Sequence, residues 1–520
     1  MSKGGLLRST AVFSAMTFLS RIAGLARDQI QANLFGTGAA VSAFVVAYRI
    51  PNYLRRIFAE GSFSSAFVPV LSELHQRGDR QALQDFLDHV AGALLAVVLA
   101  ITGLGMLFAP WIARLFLIFA GKDSEQVALT ADMLRITFPY LAFISMTAMA
   151  GAVLNSLRRF GLPAFTPVLH NLGVIAAMLG LASFFTVPEY ALAWGVFIAG
   201  LLQLLLLWPA LGRLGVAPRL RLNFRHAGVR RVFSLMLPTI FSSSVSQLNL
   251  LVGTMFASLL IVNAQAWLYY SDRLVEFPLG LFGVAIGTVI LPHLSRRFAD
   301  TDSVGYSHAL DWGLRLVALV SVPAALGLAL MAAPLCATLF QYGEFTDRDT
   351  SMVAASVMAM SVGVPAFMLS KVLLPAFFAR QDTRTPMRAA VITVFVNVLL
   401  TVLLVTPLWY WGFQAAHGGI ALATAMAGIA NAWLLWRYLI RQGVYQAEKG
   451  WLKLFLQIGL GSAAMAVTVL FARHHVGDWA ALGPWYLRAA WLVGVVGAGA
   501  LAYALGLLLA GVRPRQLREA

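Results

Sequence analysis

The chain has 520 residues, of which 60% are hydrophobic and only 12% charged, with a formal net charge of +16. A soluble globular protein carries about 25% charged residues, so this much apolar surface belongs in a bilayer, and the chain reads as an all-α polytopic membrane protein. The single cysteine, Cys336, excludes an intrachain disulfide framework and a cysteine-rich zinc site.

At the N-terminus, Lys3 and Arg8 precede an apolar stretch from Ala11 to Leu19, the arrangement of a signal peptide. No small-residue cleavage site follows, and the helical pattern runs on through Ser20-Arg21 to Phe35, so an uncleaved first span is expected. Stretches long enough to cross a bilayer, about 20 residues each, lie near 9–35, 39–72, 86–118, 126–156, 163–186, 190–212, 232–261 and 264–295. Six more lie near 306–341, 350–379, 386–410, 416–440, 451–473 and 484–511, which makes about fourteen transmembrane helices.

The loops alternate in charge. One set carries Arg77 and Arg80, Arg158 and Arg159, Arg213 to Arg231, Arg296 and Arg297, Arg380 to Arg388, and Arg437 to Lys449. The other set, including Gly36 to Ala40, Lys122 to Glu125, Pro188-Glu189, Glu344 to Asp349 and Trp409 to His417, is nearly uncharged or acidic. The positive-inside rule therefore places both termini in the cytoplasm and makes the span number even. It also accounts for the basic excess without a nucleic-acid partner. The basic, partly apolar segment from Leu220 to Phe233 reads equally as an interfacial helix on the inner leaflet or as a solvated loop.

An internal repeat organises the spans. Gly103, Ala109-Pro110 and Leu115-Phe116 recur as Gly327, Ala333-Pro334 and Leu339-Phe340 at an offset of 224. Val68-Pro69-Val70-Leu71-Ser72 recurs as Leu291-Pro292-His293-Leu294-Ser295 at an offset of 223. Six spans separate each matched pair, which predicts two parallel six-helix lobes around a central cationic cavity, plus two extra C-terminal helices. The expected division is 1–218 for the N-lobe, 219–445 for the interfacial segment and C-lobe, and 446–520 for spans thirteen and fourteen with a cytoplasmic tail.

Ionisable residues stand inside these spans: Arg21, Arg27 and Asp28 in the first; Arg49, Arg55, Arg56 and Glu60 in the second; Asp272, Arg273 and Glu276 in the eighth. A charge in hydrocarbon costs several kcal/mol or more, so it persists only facing a polar cavity or a partner. At ~100° per residue Arg21 and Asp28 nearly coincide, with Gly24 and Arg27 on the same side. Pro51 bends the second span and Pro278 follows the charges of the eighth. With Lys371 the intramembrane count is seven positive and four negative, a surplus of three that an anionic ligand would balance. Arginine is the residue expected where phosphate oxygens are gripped by forked donors. Salt bridges locking helices together are the competing reading, strongest for Arg56 and Glu60 at i and i+4.

Nothing in the sequence points to catalysis. The nine histidines are scattered, no HExxH or metal-ligand carboxylate cluster is present, and no nucleotide-binding motif occurs, so neither metal nor cofactor is expected. Asp311 and Asp382 read as isolated acids near loops.

Three motifs carry a family resemblance. Ser20-Arg21-Ile22-Ala23-Gly24-Leu25-Ala26-Arg27-Asp28, Pro51-Asn52-Tyr53-Leu54-Arg55-Arg56-Ile57-Phe58-Ala59-Glu60-Gly61-Ser62-Phe63 and Tyr269-Tyr270-Ser271-Asp272-Arg273-Leu274-Val275-Glu276-Phe277-Pro278 resemble signatures of the MurJ (MviN) family, within a superfamily of drug antiporters and polysaccharide flippases. Phe340-Gln341-Tyr342-Gly343-Glu344-Phe345-Thr346 is similar to a further family segment. The resemblance implies a lipid II flippase of the bacterial inner membrane, a transporter and not an enzyme. It would move the undecaprenyl-diphosphate-linked peptidoglycan precursor from inner to outer leaflet by alternating access. It assigns substrate binding to Arg21, Arg27, Arg55 and Arg273, and an acidic cavity role to Glu60; Asp28, Arg49, Arg56, Asp272 and Glu276 are expected as supporting or gating charges. Membrane lipids and cell-wall synthesis proteins are the other expected partners. One departure stands out: Ser42 occupies a position where family members carry aspartate. The alternatives are a flippase or antiporter for another lipid-linked oligosaccharide or organic ion, and a membrane-embedded polyprenyl-phosphate transferase. A cationic substrate would call for a surplus of acids, and a transferase for a metal-binding acidic cluster.

Overall fold

The computed structural model describes residues 3–56, 62–118 and 125–512, and among them the regular structure is helical, with no strand. The chain divides into two compact units, Met1–Ala266 and Trp267–Ala520. The first holds α1 (Lys3–Phe35), α2 (Ala39–Arg55), α3 (Ser62–Gln76), α4 (Arg80–Leu107), α5 (Ala109–Phe116), α6 (Glu125–Thr137), α7 (Tyr140–Ser156), α8 (Gly161–Leu181), α9 (Tyr190–Arg213) and α10 (Ala227–Ala257). Helix α11 (Ala264–Pro278) starts at the end of the first unit and runs into the second. The second continues with α12 (Val284–Ala299), α13 (Ser303–Leu330), α14 (Ala332–Leu339), α15 (Asp347–Ser361), α16 (Val364–Phe378), α17 (Arg384–Tyr410), α18 (His417–Arg441), α19 (Trp451–Val476) and α20 (Trp485–Leu509).

Among the described residues nine helical stretches are long and apolar enough to cross a membrane, or ten if α15 and α16, bent by 46° at their junction, form one span. The other four predicted spans fall on α1, on α2 with α3, on α10, and on α11 with α12. Large apolar side chains such as Leu179, Phe395 and Leu509 are exposed, as expected where lipid replaces water.

The repeat read in the sequence is also a repeat of helix lengths. Helices α4 and α5 have 28 and 8 residues, and so do α13 and α14. In both copies an aspartate caps the long helix: Asp79 accepts from the backbone N–H of Gln81 and Ala82, and Asp302 from that of Gly305. Such caps satisfy amides that have no intrahelical partner. In both copies a proline follows the break, Pro110 and Pro334, where it removes a donor and restarts the helix.

The core of the first unit forms where α3, α4 and α7 meet. Phe63, Phe67 and Phe86 stack at centroid distances of 4.9 and 5.6 Å, beside Leu87, Val90, Leu94 and Met149. Helix α10 packs on α3 and α4 and adds Val229 to this core.

Residues 216–223, between α9 and α10, are not helical, so the segment expected either as an interfacial helix or as a loop starts its helix only at Ala227. Buried Asp88 of α4 explains this. Its side chain accepts from the backbone N–H of Arg219 at 2.9 Å, and its carbonyl accepts from the N–H of Arg221 at 3.0 Å. These bonds hold the non-helical segment against α4, with Leu220 in a left-handed conformation at φ 52°. Gly92 lets it approach, because a Cβ there would lie 2.2 Å from the Arg221 carbonyl oxygen. At the other end of the linker, Arg231 meets Glu73 at 2.8 Å, and this hydrogen bond holds the Glu73 carboxyl below its usual range.

Candidate functional site

In the first unit Arg27 and Asp28 lie where α1 packs on α8. Arg27 and Asp28 are adjacent on α1 and both buried, 9% and 4% exposed. Arg27 donates from Nε and Nη2 to Asp28 Oδ1, at 3.1 and 2.6 Å, and from Nη1 to Asn171 Oδ1 of α8 at 3.0 Å. Asn171 in turn donates from Nδ2 to the carbonyl of Ser20 at 3.1 Å. One amide thereby fixes both the Arg27 guanidinium and the α1 backbone one residue before Arg21. Gly24 lies beside this amide, where a Cβ would make an ordinary van der Waals contact at 3.6 Å from Asn171 Nδ2. Arg21 itself is exposed on the same helix.

The residue before Asn171 is a histidine. Buried His170 lies within electrostatic reach of both Arg27 and Arg55, and its ring tilts against Tyr140 at 5.5 Å. Arg55, half-buried near the end of α2, donates from Nε to Asn52 Oδ1 at 3.0 Å, the asparagine that follows the helix-bending Pro51. Two of the four predicted substrate arginines, Arg27 and Arg55, thus share the His170 neighbourhood. Arg56 is half-buried; its expected partner Glu60 lies outside the described residues.

Arg49 has a different setting. Its Nη1 donates to Thr254 Oγ1 of α10 at 2.9 Å and reaches Gln265 Oε1 at 3.5 Å. Gln265 is oriented by its own bond to the Thr254 carbonyl at 2.6 Å. Arg49 therefore ties α2 to the α10–α11 turn. Ser42 is fully buried in α2.

In the second unit Arg273 stands on α11, over the Tyr269 ring at 4.9 Å, and donates from Nη1 to Glu276 Oε2 at 3.2 Å. Asp272 beside it is half-buried, and Lys371 is exposed on α16. One turn before Arg273 the helix is fixed by buried aromatics: Tyr270 meets Phe340 at 5.0 Å and Phe345 at 5.4 Å, so two sequence motifs separated by a long stretch of chain pack on each other. Trp267 donates from Nε1 to Asp349 Oδ1 at 2.7 Å, and Asp349 forms a capping box with Thr346 at the start of α15. The motif residues around Arg273 therefore build a rigid base that carries it.

His170, Asn171, Thr254 and Gln265 were not singled out in the sequence as site residues. For Asn171 a signal existed: an amide in the middle of an apolar span needs a buried partner. Asp311, expected as an isolated acid, is fully buried and accepts from Arg315 Nε at 2.5 Å, Tyr445 Oη at 2.6 Å and Trp451 Nε1 at 2.9 Å.

One cluster of metal-ligand type is present among the described residues: Asp85, His89 and His226, with ligand atoms within 4.8 Å of one another. Its hydrogen bonds assign the tautomers. His89 Nδ1 must donate to the Asp85 carbonyl at 2.8 Å. His226 Nδ1 accepts from the Gly228 N–H at 3.2 Å, which leaves its Nε2 to donate to Asp85 Oδ2 at 3.0 Å. A metal on that Nε2 would require a proton on Nδ1, facing the Gly228 N–H. The cluster is a proton-bonded anchor for the start of α10.

Comparison with known proteins gives the same direction as the motifs. The family model described as "Lipid II flippase MurJ" matches residues 31–483. A Vibrio cholerae serotype O1 protein named "Probable lipid II flippase MurJ" is 41% identical over 522 residues, covering 99% of this chain and 98% of its own. A solved structure titled "Lipid II flippase MurJ, inward closed conformation" superposes with a TM-score of 0.79 at 26% identity, over 96% of this chain and 98% of that one. An inward-facing multidrug resistance MATE family transporter of the MOP superfamily shares the fold, with a TM-score of 0.66 at 14% identity over 84% of this chain and 98% of its own. With a match that spans most of the sequence, and with its signature arginines set in membrane helices, the chain belongs to the lipid II flippase MurJ family.

Proposed function

We propose that this protein flips lipid II across the bacterial cytoplasmic membrane, from the inner to the outer leaflet, by alternating access. The observation that carries the reading is 40–41% identity, over 87–99% of the chain, to relatives named as lipid II flippases. The site chemistry supports it. The headgroup of an undecaprenyl-diphosphate-linked precursor is anionic, and its phosphates lose water when they leave the interface. Charge-assisted hydrogen bonds from arginine replace that water. Arg27 and Arg55 around His170, with Arg21 on the exposed side of α1, are the proposed diphosphate ligands of the first unit. Arg273 is the proposed substrate-binding cation of the second. Asp28 and Glu276 hold Arg27 and Arg273 in place between substrates, and Arg49, Arg56, Glu60 and Asp272 are proposed as supporting charges.

The basic loops support a cytoplasmic position for both termini. In that orientation a membrane potential negative inside assists the outward movement of an anionic headgroup, by ~2.3 kcal/mol per charge per 100 mV. The prenyl tail stays in lipid throughout, since moving it into a polar site would cost hydrophobic free energy.

The test is lipid II translocation in a bacterium depleted of its own flippase and complemented with this chain. Wild type restores translocation and growth; Arg55→Ala, at equal membrane abundance, does not. Failure of well-expressed wild type would reject lipid II as the substrate, and full rescue by Arg55→Ala would remove Arg55 from the site.

A further inference from the structure

The second unit contains a half-open cavity of about 310 Å³ that the flippase reading does not use. Helix α13 lines it with Arg315, Leu316 and Leu319, the first turns of α19 with Lys453 and Gln457, and Val512 closes it just after α20. Its ionisable lining groups are both cations, and its floor is apolar.

The walls are built and held. Arg315 is fixed by Asp311 at 2.5 Å and by the Lys449 carbonyl at 3.0 Å, and its guanidinium lies over the Trp451 ring at 5.3 Å. Gln457 donates to the Ala510 carbonyl at 2.8 Å, and Tyr503 to the Leu319 carbonyl at 2.6 Å, so α20 is tied to α19 and α13 on either side. Two carboxylates lie near. Asp311 is buried, with its oxygens taken by Arg315, Tyr445 and Trp451. Glu448 lies between His308, at 3.4 Å, and Arg315, at 4.0 Å. Lys453 is exposed and makes no hydrogen bond or ion pair among the described residues. A cation therefore remains available at the rim.

The depth of the cavity identifies its ligand. It sits where α19 starts and α20 ends, next to the basic 437–449 loop, at the level of a bilayer interface. Beside it Leu452, Phe455 and Leu456 are 76%, 53% and 62% exposed, an apolar strip leading away from the cations along the membrane. A soluble anion has no use for the strip, and a zwitterionic headgroup would bring an ammonium against Lys453. The volume lies at the small end of ligand pockets, about 300–1,000 Å³. We propose that this cavity holds the phosphodiester headgroup of an anionic glycerophospholipid of the adjoining leaflet, with its acyl chains laid over Leu452, Phe455 and Leu456.

The test is native mass spectrometry of the purified full chain in detergent, titrated with phosphatidylglycerol or phosphatidylcholine. Wild type is expected to retain phosphatidylglycerol preferentially. Lys453→Ala should weaken that retention about fivefold, the effect of one basic residue at a membrane surface. Leu316→Trp, which fills the cavity and leaves the charges, should abolish it. Arg388→Ala, on a different basic loop, should change nothing, and phosphatidylcholine binding should be equal in all variants. Unchanged phosphatidylglycerol retention in Lys453→Ala overturns the proposal, even if Leu316→Trp fails to fold. Complete displacement of the lipid by millimolar inorganic phosphate overturns it too, because the site would then be one for a free anion.

Discussion

Arg27 has two proposed roles that one experiment separates: partner of Asp28 and ligand of the diphosphate. The structure sets the size of the first. Both side chains are nearly enclosed, 11% and 6% exposed, and two guanidinium donors converge on a single carboxylate oxygen. Arg27→Ala takes two donors from the buried Asp28 carboxylate, and removing one member of a buried pair costs about 3–5 kcal/mol. Adding Asp28→Asn removes the buried charge and should recover most of that loss. Asp28→Asn alone leaves Arg27 its bond to Asn171 and should cost about 1–3 kcal/mol. Thermal unfolding in detergent gives the stabilities, and growth of a flippase-depleted strain gives the function. If Arg27 serves only to neutralise Asp28, the double variant is stable and active. If Arg27 grips phosphate, the double variant is stable and inactive. A double variant that supports growth like wild type would refute the phosphate role of Arg27, and a double variant no more stable than Arg27→Ala would refute the buried-pair energetics.

Three further outcomes are expected. Gly92→Ala puts a methyl group 2.2 Å from the Arg221 carbonyl oxygen and should displace the 216–223 segment from α4, costing about 1–3 kcal/mol; faster tryptic cleavage at Arg219 and Arg221 would report it, and an unchanged rate would count against the close approach. Glu73 has a carboxyl pKa held low in the folded protein by Arg231, so its stabilising contribution is present above the ordinary carboxylate value of about 4 and is lost as pH falls through the lower folded value. Glu73→Gln should flatten the acid limb of the melting-temperature profile, and an identical limb would contradict the assignment. Asp311→Ala deprives Arg315, Tyr445 and Trp451 of their shared acceptor and should destabilise the second unit by about 3–5 kcal/mol, seen as an earlier melting transition in tryptophan fluorescence.

The helical membrane architecture was legible in the sequence because long apolar runs and alternating basic loops are one-dimensional signals. The repeat was legible for a related reason: Ala109-Pro110 and Ala333-Pro334 mark a helix break that recurs at the same place in both copies. The path of the 216–223 segment was not legible, because it depends on Asp88 and Gly92, more than a hundred residues earlier. The arginines were visible as costly charges, but their neighbours were not. Helical spacing placed Arg21 beside Asp28 but did not show that adjacent Arg27 would direct two donors at the same carboxylate. Nor could spacing find Asn171, His170, Thr254 or Gln265, which come from helices that meet α1 and α2 only in the folded chain.

Those neighbours bear on why the arginines are there. A salt bridge that locks two helices needs its acid on a different helix from its base. Arg27 with Asp28 and Arg273 with Glu276 are pairs within one helix, and they position a side chain without joining two elements. Arg27 also reaches another helix through the neutral oxygen of Asn171, and Arg49 through those of Thr254 and Gln265. A neutral acceptor fixes the guanidinium without itself cancelling the charge. If helix packing were the only purpose, neutral side chains at positions 27 and 49 could make the same bonds without the cost of a membrane-embedded charge. Holding cations in place through amides and hydroxyls instead preserves an attraction for an anion that is present during only part of a transport cycle, which is what a flippase for a diphosphate-linked lipid requires.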